Sequence, residues 1–145
     1  MPRLTRDQYF LDMLALVASR STCARRSVGA IIIDAKGHVL SMGYNGVPSG
    51  TRHCIDHPCA GVQDAPGLTD RCLAVHAEQN ALLQCHRLDL AHTLYCTCSP
   101  CFTCAKLILN TPISRVVYTT QYADQRGADL LVDRGLEVVV AGRPL

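Results

Sequence analysis

Short apolar strands and helical segments alternate along the second half of the chain. Strands are predicted at 93–97, 115–119 and 137–141, and helices at 100–110 and 125–134 lie between them. Because strands joined through a helix pair in parallel by right-handed crossovers, this order predicts a parallel sheet with helices packed against it.

The first half adds a helix and a hairpin. Residues 5–8 fit a helical capping box, and the apolar residues that follow at helical spacing predict a helix over 5–19. Two strands joined by a turn are predicted at 28–33 and 38–43, and a further helix at 75–86. Three Gly and one Pro predict a loop over 43–50. The resulting order, α-β-β-α-β-α-β-α-β, predicts a three-layer α/β fold in which a mixed five-stranded sheet lies between helices.

Length and charge exclude several classes of protein. The chain has 145 residues, so we expect one domain over 1–145. Its 14 Lys and Arg against 12 Asp and Glu leave a net charge of +2, too small an excess to indicate binding to nucleic acid or to a membrane surface. Because no apolar run could span a bilayer and the first residues lack a signal-peptide core, we expect a cytoplasmic protein.

Nine cysteines are the strongest chemical signal. They are Cys23, Cys54, Cys59, Cys72, Cys85, Cys96, Cys98, Cys101 and Cys104. An odd number without a signal peptide argues against a disulfide framework, whereas clustered Cys near His in a reducing compartment is typical of metal sites.

Two short segments have the residues of one metal site. His76 lies at the start of one predicted helix, and Cys101 and Cys104 lie at the start of the next, where both sulfurs can turn to one ion. Three protein ligands leave one position of a tetrahedral zinc open, which is typical of a catalytic site. Glu78, two residues after His76, is placed to act on whatever fills that position.

The cysteines alone leave other interpretations open. Cys101 and Cys104 are separated by two residues, which is also the spacing of a structural zinc half-site or of a redox pair. With Cys96 and Cys98 they could hold an iron–sulfur cluster. Against that, alternation along the predicted strand directs Cys96 and Cys98 away from the helix start, which favours a packing role for Cys96.

Residues 76–81 and 99–106 resemble the zinc-dependent cytidine and deoxycytidylate deaminases, whose signature is H-x-E followed by P-C-x-x-C. Further segments that resemble the deoxycytidylate (dCMP) deaminases cover nearly the whole chain: 7–10, 20–23, 28–30, 43–46 and 115–118. The resemblance implies a cytidine deaminase-like fold and hydrolysis of dCMP, or of a 5-substituted dCMP, to the corresponding uracil nucleotide and ammonia.

The resemblance also implies roles for individual residues. Zinc would activate water, and Glu78 would accept its proton and pass it to N3 of the pyrimidine; Glu78 would next protonate the exocyclic amine, and ammonia would leave. Asn45 would contact the sugar, the backbone of Ala77 would bind the base, and Tyr122 would pack near the nucleotide.

A 5′-phosphate requires cationic or N–H donors, and Arg25 and Arg26 are candidates. They could meet the phosphate in this subunit, in a neighbouring one or in an effector site. The resemblance implies a hexamer regulated by dCTP and dTTP, with Gly43, Tyr44 and Gly46 at the effector site. The expected source is a bacterium or a phage-infected cell.

Four cysteines fall outside the catalytic set: Cys23, Cys54, Cys59 and Cys72. Residues 51–72 have few apolar anchors, so a structural zinc would supply what a core cannot. The resemblance supports a second zinc in this region. Four thiolates are the preferred ligands, His53 or His57 in place of one is the alternative, and free thiols are the other possibility.

Three further functions compete with a dCMP deaminase. A nucleic-acid deaminase is disfavoured by the small net charge and by only five Tyr, two Phe and no Trp. A nucleoside or other small-base deaminase would use the same zinc chemistry. A zinc protein without activity is disfavoured by Glu78 beside a three-ligand site.

Overall fold

The computed structural model describes residues 2–142, so residue 1 and residues 143–145 of the domain expected over 1–145 lie outside the described residues. Its helices are α1 (Arg6–Ala18), α2 (Ala77–Leu83), α3 (Phe102–Leu109) and α4 (Arg126–Asp133). Its strands are β1 (Gly29–Ile33), β2 (Val39–Tyr44), β3 (Thr93–Cys98), β4 (Arg115–Thr120) and β5 (Glu137–Val140). The predicted order of elements is confirmed, with an unpredicted 3₁₀ turn at Leu88–Leu90. None of the described helices has both the length and the apolarity that crossing a bilayer requires.

The five strands form one mixed sheet in the order β2-β1-β3-β4-β5. Strand β1 pairs antiparallel with β2 and with β3, whereas β3, β4 and β5 run parallel to one another. The predicted hairpin and the predicted parallel half are both confirmed. Because β3 and β4 are parallel, the segments that follow them begin at the same edge of the sheet, where open α/β sheets bind ligands.

Helices cover both faces of this sheet, because alternate side chains along each strand point to opposite sides. The cluster against α1 contains Phe10, Leu14, Ile31, Ile33, Tyr95 and Val117. The cluster on the other face, against α2, α3 and α4, includes Ala30, Ile32, Leu94, Cys96, Val116 and Tyr118. The three-layer architecture is therefore confirmed, with one helix on one side and three on the other.

The helix predicted over 75–86 is shorter at both ends. His76 is extended (φ −69°, ψ 153°) and serves as the N-cap, so α2 starts at Ala77, two residues later than predicted. At the other end, the Cys85 N–H donates to the carbonyl of Leu82, three residues earlier, at 3.3 Å. This hydrogen bond is of the 3₁₀ type and marks the end of the α-helix. Cys101 is likewise the N-cap of α3. Two of the predicted metal ligands are therefore helix caps.

The loop predicted over 43–50 begins later than expected. Gly43 and Tyr44 belong to β2, and Gly46 forms an isolated bridge with Val75. A Cβ at Gly43 would lie 2.4 Å from the backbone of α2. This glycine therefore permits close packing of a helix on a strand and is not part of a turn.

Only half of the capping box predicted at residues 5–8 forms. The Thr5 hydroxyl accepts a hydrogen bond from the Gln8 N–H at 3.1 Å. The Gln8 side chain does not return to the cap, because it donates to Asp12 at 2.6 Å. One capping interaction is enough to start α1 where the sequence predicts it.

Candidate active site

His76, Cys101 and Cys104 meet at the adjoining starts of α2 and α3. The His76 Nδ1 lies 3.4 Å from the Cys101 Sγ and 3.3 Å from the Cys104 Sγ. Within residues 2–142, this is the one group of three or more potential ligands whose donor atoms all lie within 4.8 Å of one another. His76 and Cys101 line a pocket, so an ion held by the group would be reached from solvent.

The surroundings of Cys101 favour its thiolate. Its pKa is lowered to about 4, first by a hydrogen bond from the Cys104 thiol and then by the His76 imidazole and the Cys104 backbone N–H. The same thiol contact, together with burial, raises the pKa of Cys104. The pKa of His76 is raised by its hydrogen bond with Cys101. Two sulfurs and an imidazole are a donor set that zinc prefers, so these residues fit that metal.

Glu78 lies beside this group in the same pocket and is 5% exposed. Its Oε2 is 3.9 Å from the Cys104 Sγ. Burial raises the pKa of Glu78 to about 6. A carboxyl group with such a pKa can both accept and release a proton near neutral pH, which is what a proton carrier must do.

Asn45, Ala77 and Tyr122 line the pocket that leads to Glu78. The Asn45 side chain also holds the backbone, since its Oδ1 accepts from the Val28 N–H at 2.8 Å and its Nδ2 donates to the carbonyl of residue 26 at 2.9 Å. A primary amide has two donor hydrogens and two acceptor lone pairs, so one of each remains for a ligand.

Arg26 and Tyr122 form one side of the pocket. The Arg26 guanidinium carbon lies 4.6 Å from the centre of the Tyr122 ring, and Nη2 donates to the Cys98 Sγ at 2.9 Å. The Tyr122 N–H donates to the Ser99 hydroxyl at 2.6 Å. Ser99 also lines the pocket. It was not predicted as a site residue, although it lies only two residues before the predicted ligand Cys101.

Arg25 has different partners from Arg26, although both were candidates for a phosphate or effector contact. The Arg25 guanidinium donates to the backbone carbonyls of Asp64 at 3.2 Å, Ala65 at 3.0 Å and Leu68 at 3.0 Å. Its two terminal nitrogens therefore bind the chain itself, and Arg25 also lines the pocket.

Cys96 and Cys98 of β3 do not join the group that contains Cys101 and Cys104. Cys96 is fully buried among the apolar residues of the core, as its predicted packing role requires. Cys98 accepts from Arg26. Among the described residues, neither belongs to a group of three close ligands, so the arrangement that an iron–sulfur cluster needs is not formed there.

Gly43, Tyr44 and Gly46 line a second cavity, together with Asn80. The Asn80 Nδ2 donates to the Tyr44 carbonyl at 2.8 Å, which connects this cavity to the first turns of α2. Asn45, between them in sequence, lines the first pocket instead. One short segment therefore contributes to two separate cavities.

The four cysteines expected to hold a second metal lie near one another without forming a tight group, since Cys59 contacts Cys54 and Cys72, and Cys23 lies near Cys72. The alternative ligands are His53 and His57. The Cys59 N–H donates to the Cys54 Sγ at 3.4 Å. Backbone hydrogen bonds from Leu73 and Gly61 lower the pKa of Cys59, and contacts with Cys54 and Cys72 add to this. Over residues 2–142, no three of the six have ligand atoms all within 4.8 Å of one another.

Comparison with known proteins places this arrangement among relatives. Residues 4–120 match the family described as the cytidine and deoxycytidylate deaminase zinc-binding region. The deoxycytidylate deaminase of Mycobacterium phage D29 is 44% identical over 125 residues, which cover 81% of this chain and 97% of the phage protein. That of Schizosaccharomyces pombe is 38% identical over 138 residues, which cover 91% of this chain but 42% of the yeast protein.

Solved structures agree with these matches. The dCMP deaminase of cyanophage S-TIM5 without ligand superposes with a TM-score of 0.72 at 30% identity, covering 93% of this chain and 96% of the phage chain. The same phage enzyme in complex with dCMP and dUMP gives a TM-score of 0.71 at 29% identity, covering 95% and 98% of the two chains. Similarity thus extends over both the sheet and the segments that bear the three close ligands, and the chain belongs to the cytidine and deoxycytidylate deaminase family.

Proposed function

We propose that this protein is a zinc-dependent deaminase that hydrolyses dCMP to dUMP and ammonia. The observation that carries the proposal is one pocket in which a buried carboxyl group, Glu78, lies beside three close metal ligands, His76, Cys101 and Cys104. This chain matches 97% of the length of the phage relative named deoxycytidylate deaminase, and this match supports dCMP as the substrate.

The mechanism follows from what the chain's own residues can do. His76, Cys101 and Cys104 would hold zinc, which would supply an activated water. Glu78 takes one proton from the attacking water and passes it to N3 of the pyrimidine. It then takes the remaining proton from the new hydroxyl at C4 and delivers it to the exocyclic amine, so that the C4–N bond breaks after the C4–O bond has formed. The N–H of Ala77, the first residue of α2, has no partner within the helix and is available to the base.

The rest of the nucleotide is bound at the open side of the pocket. Arg26, which is exposed and stacked on Tyr122, places a cation where a 5′-phosphate can reach it. The remaining donor and acceptor of Asn45 suit the sugar hydroxyl. A 5-substituted dCMP is a further candidate substrate, since a methyl group at C5 changes selectivity in an apolar pocket by only about 1–3 kcal/mol.

The substrate is tested by measuring ammonia release from dCMP, 5-methyl-dCMP, deoxycytidine, dCTP and a single-stranded oligonucleotide, all with zinc-loaded protein. We expect the highest kcat/KM with dCMP or its 5-methyl derivative. Faster deamination of deoxycytidine or of the oligonucleotide, or no turnover of dCMP by protein that contains zinc, would overturn the proposal. Cys101→Ser is the matched control, which should lose zinc and activity together.

A structural zinc near Cys59 is a second part of the proposal. Cys59 contacts both Cys54 and Cys72, and backbone N–H groups stabilise its thiolate, as a metal ligand requires. Protein prepared without chelator should contain two zinc ions per chain, and Cys59→Ser should contain one while it keeps the catalytic ion. One zinc per chain in the unmodified protein would eliminate the second site.

Regulation and assembly complete the proposal. The cavity lined by Gly43, Tyr44 and Gly46 is our candidate site for dCTP and dTTP, and the expected assembly is a hexamer in the cytoplasm. Activity should rise with dCTP and fall with dTTP. Mass measurement in solution tests the hexamer, and kinetics unaffected by either triphosphate would exclude the effector site.

A further inference from the structure

Part of the pocket wall comes from a segment with no regular structure. We call residues 64–69 the strap. Pro66, Gly67 and Thr69 of the strap line the same pocket as Glu78 and Asn45. The strap is thus in contact with the space that a nucleotide would occupy.

Apolar burial does not hold the strap in place. Residues 65–69 are all exposed, and Leu68 is 59% exposed. Its internal structure is one turn, in which the Leu68 N–H donates to the Ala65 carbonyl at 3.0 Å and Gly67 has a positive φ of 89°. A segment with so little buried surface opens readily unless polar contacts fix it.

Arg25 supplies such contacts. Its guanidinium donates three hydrogen bonds to strap carbonyls that lie 39 to 43 residues further along the chain. Two nitrogens of the rigid guanidinium share these acceptors, which a single ammonium group could not do equally well. An ion pair between the Asp64 carboxylate and Arg71 fixes the strap at its first residue.

Arg25 also connects the strap to the substrate side of the pocket. It directly precedes Arg26, whose guanidinium stacks on Tyr122. The carbonyl of residue 26 accepts from the Asn45 side chain, so the backbone beside Arg25 is itself fixed. Movement of the strap is therefore restrained by the same turn that presents Arg26.

We propose that Arg25 is a positioning residue, which holds the strap as a wall of the nucleotide pocket and thereby sets the KM for substrate. The proposal rests on the proposed deaminase function. It assigns different roles to two neighbouring arginines, since Arg26 would bind the substrate and Arg25 binds the wall.

The experiment compares four variants of the full zinc-loaded protein: Arg25→Ala, Arg25→Lys, Arg26→Ala and Arg52→Ala. Arg52 is exposed and controls for the loss of one positive charge. Hydrogen exchange at the Leu68 amide reports on the strap, and kcat and KM are measured with dCMP and with deoxycytidine.

For Arg25→Ala we expect about tenfold faster exchange at Leu68 and a KM for dCMP about tenfold higher, with kcat changed by less than about twofold; each lost hydrogen bond contributes to both effects. Arg25→Lys should restore little of either. Arg26→Ala should raise the KM for dCMP but not that for deoxycytidine, and should leave the exchange unchanged. Arg52→Ala should resemble the unmodified protein.

Three results would overturn the proposal. A higher KM in Arg25→Ala without faster exchange would mean that Arg25 contacts the substrate directly. Faster exchange without a change in KM would mean that the strap does not limit binding, and no change in either would mean that Arg25 does not hold it. If Arg25→Ala does not fold, Arg25→Lys answers the same questions. If the unmodified protein does not deaminate dCMP, the proposed deaminase function is wrong. Hydrogen exchange at Leu68 would still show whether Arg25 holds the strap.

Discussion

Glu78 and Glu137, the only two glutamates of the chain, have opposite surroundings. Glu78 is buried beside Cys104, whereas the Glu137 side chain is 65% exposed and accepts from the Arg115 Nε at 3.2 Å. Burial disfavours the charged form of Glu78 and leaves it poised to exchange a proton. The same functional group is thus a proton carrier in one place and a surface ion-pair partner in the other.

Glu78→Gln should lower kcat by about 10²–10⁴, because an amide cannot carry the proton between water and the pyrimidine. Zinc content should not change, since the three ligands remain. Glu137→Gln is the matched control and should keep kcat within about twofold of the unmodified protein. Near-normal kcat in Glu78→Gln, measured by ammonia release, would contradict the proton-carrier role.

Residues with a fixed spacing were predictable, and residues that bind the backbone were not. The positions of His76, Cys101 and Cys104 in two short motifs, together with the resemblance to the deaminases, predicted that they meet. Arg25 differs, because its partners are carbonyl groups, which every residue has and which leave no pattern in the sequence. Ser99 was missed for a related reason, since its hydroxyl accepts from a backbone N–H.

Two elements depend on a glycine where α4 meets the start of α3. A Cβ at Gly127 would lie 2.2 Å from the Pro100 carbonyl oxygen and 2.6 Å from the backbone of Cys101. No flexible side chain is involved, so any larger residue must move the backbone that presents a metal ligand. The close packing of these elements therefore fixes part of the site.

Gly127→Ala should displace Cys101, and we expect weaker zinc binding and a free energy of unfolding lower by about 1–3 kcal/mol. Gly142→Ala is the control, since no atom of residues 2–142 outside its own neighbours lies within 4 Å of a Cβ placed there. Zinc titration and thermal unfolding of both variants provide the measurement. Unchanged zinc affinity in Gly127→Ala would show that the packing does not constrain Cys101.

Helix α1 is attached to the sheet by a polar contact at its first turn. Asp7 accepts hydrogen bonds of 2.7 Å from the Tyr95 hydroxyl on β3 and from two nitrogens of Arg115 on β4. These bonds, above all those from Arg115, hold the pKa of Asp7 below its usual value. The pair is partly exposed, so it contributes modestly to stability.

Because the pKa of Asp7 is lower in the folded than in the unfolded state, its stabilising effect is present above the unfolded value of about 3.9 and is lost as pH falls through the folded one. Asp7→Asn should therefore lower the free energy of unfolding at pH 7 by about 1–2 kcal/mol and flatten its pH dependence below about pH 5. Urea unfolding at several pH values measures this. Asp133→Asn, an exposed control on α4, should behave like the unmodified protein at every pH.

The boundaries of elements were harder to predict than their order. Helical spacing places apolar residues correctly, but whether His76 is the first residue of a helix or its cap depends on backbone angles that the pattern does not specify. The end of β2 was misplaced for a similar reason. The three glycines of 43–50 predict a loop, and the sequence does not show that α2 packs closely on Gly43 and that the strand continues to Tyr44. The errors in the predicted helices and strands amount to at most three residues at either end.

At the scale of the whole molecule, a regular sheet supports a long segment without helices or strands between β2 and α2. The sheet was predictable because alternation and crossover rules act over the whole second half. The order β2-β1-β3-β4-β5 was not predicted, since the pattern does not say which edge a hairpin joins. The segment itself has no periodic pattern, and its position follows from side-chain contacts such as those of Arg25.

Removal of zinc should affect the stability of the whole protein. Because an ion that binds the folded state alone stabilises it, chelation should lower Tm by about 5 °C or more, and added zinc should restore it. Cys101→Ser should respond less to chelator, with the remaining shift due to the second zinc. The same Tm with and without chelator, in protein from which zinc removal has been verified, would contradict this expectation.

The sulfur of Cys101 has two roles, and both restrict which residues can replace this cysteine. It accepts the Cys104 N–H at 3.5 Å and so begins a helix, and it is also one of the three atoms grouped around the ion position. Serine could keep the first role but is a poor partner for zinc, while alanine could do neither. Variation at this position is therefore opposed by two unrelated requirements, and in a library of all substitutions zinc should be lost from every variant whose side chain cannot both accept the Cys104 N–H and bind the ion.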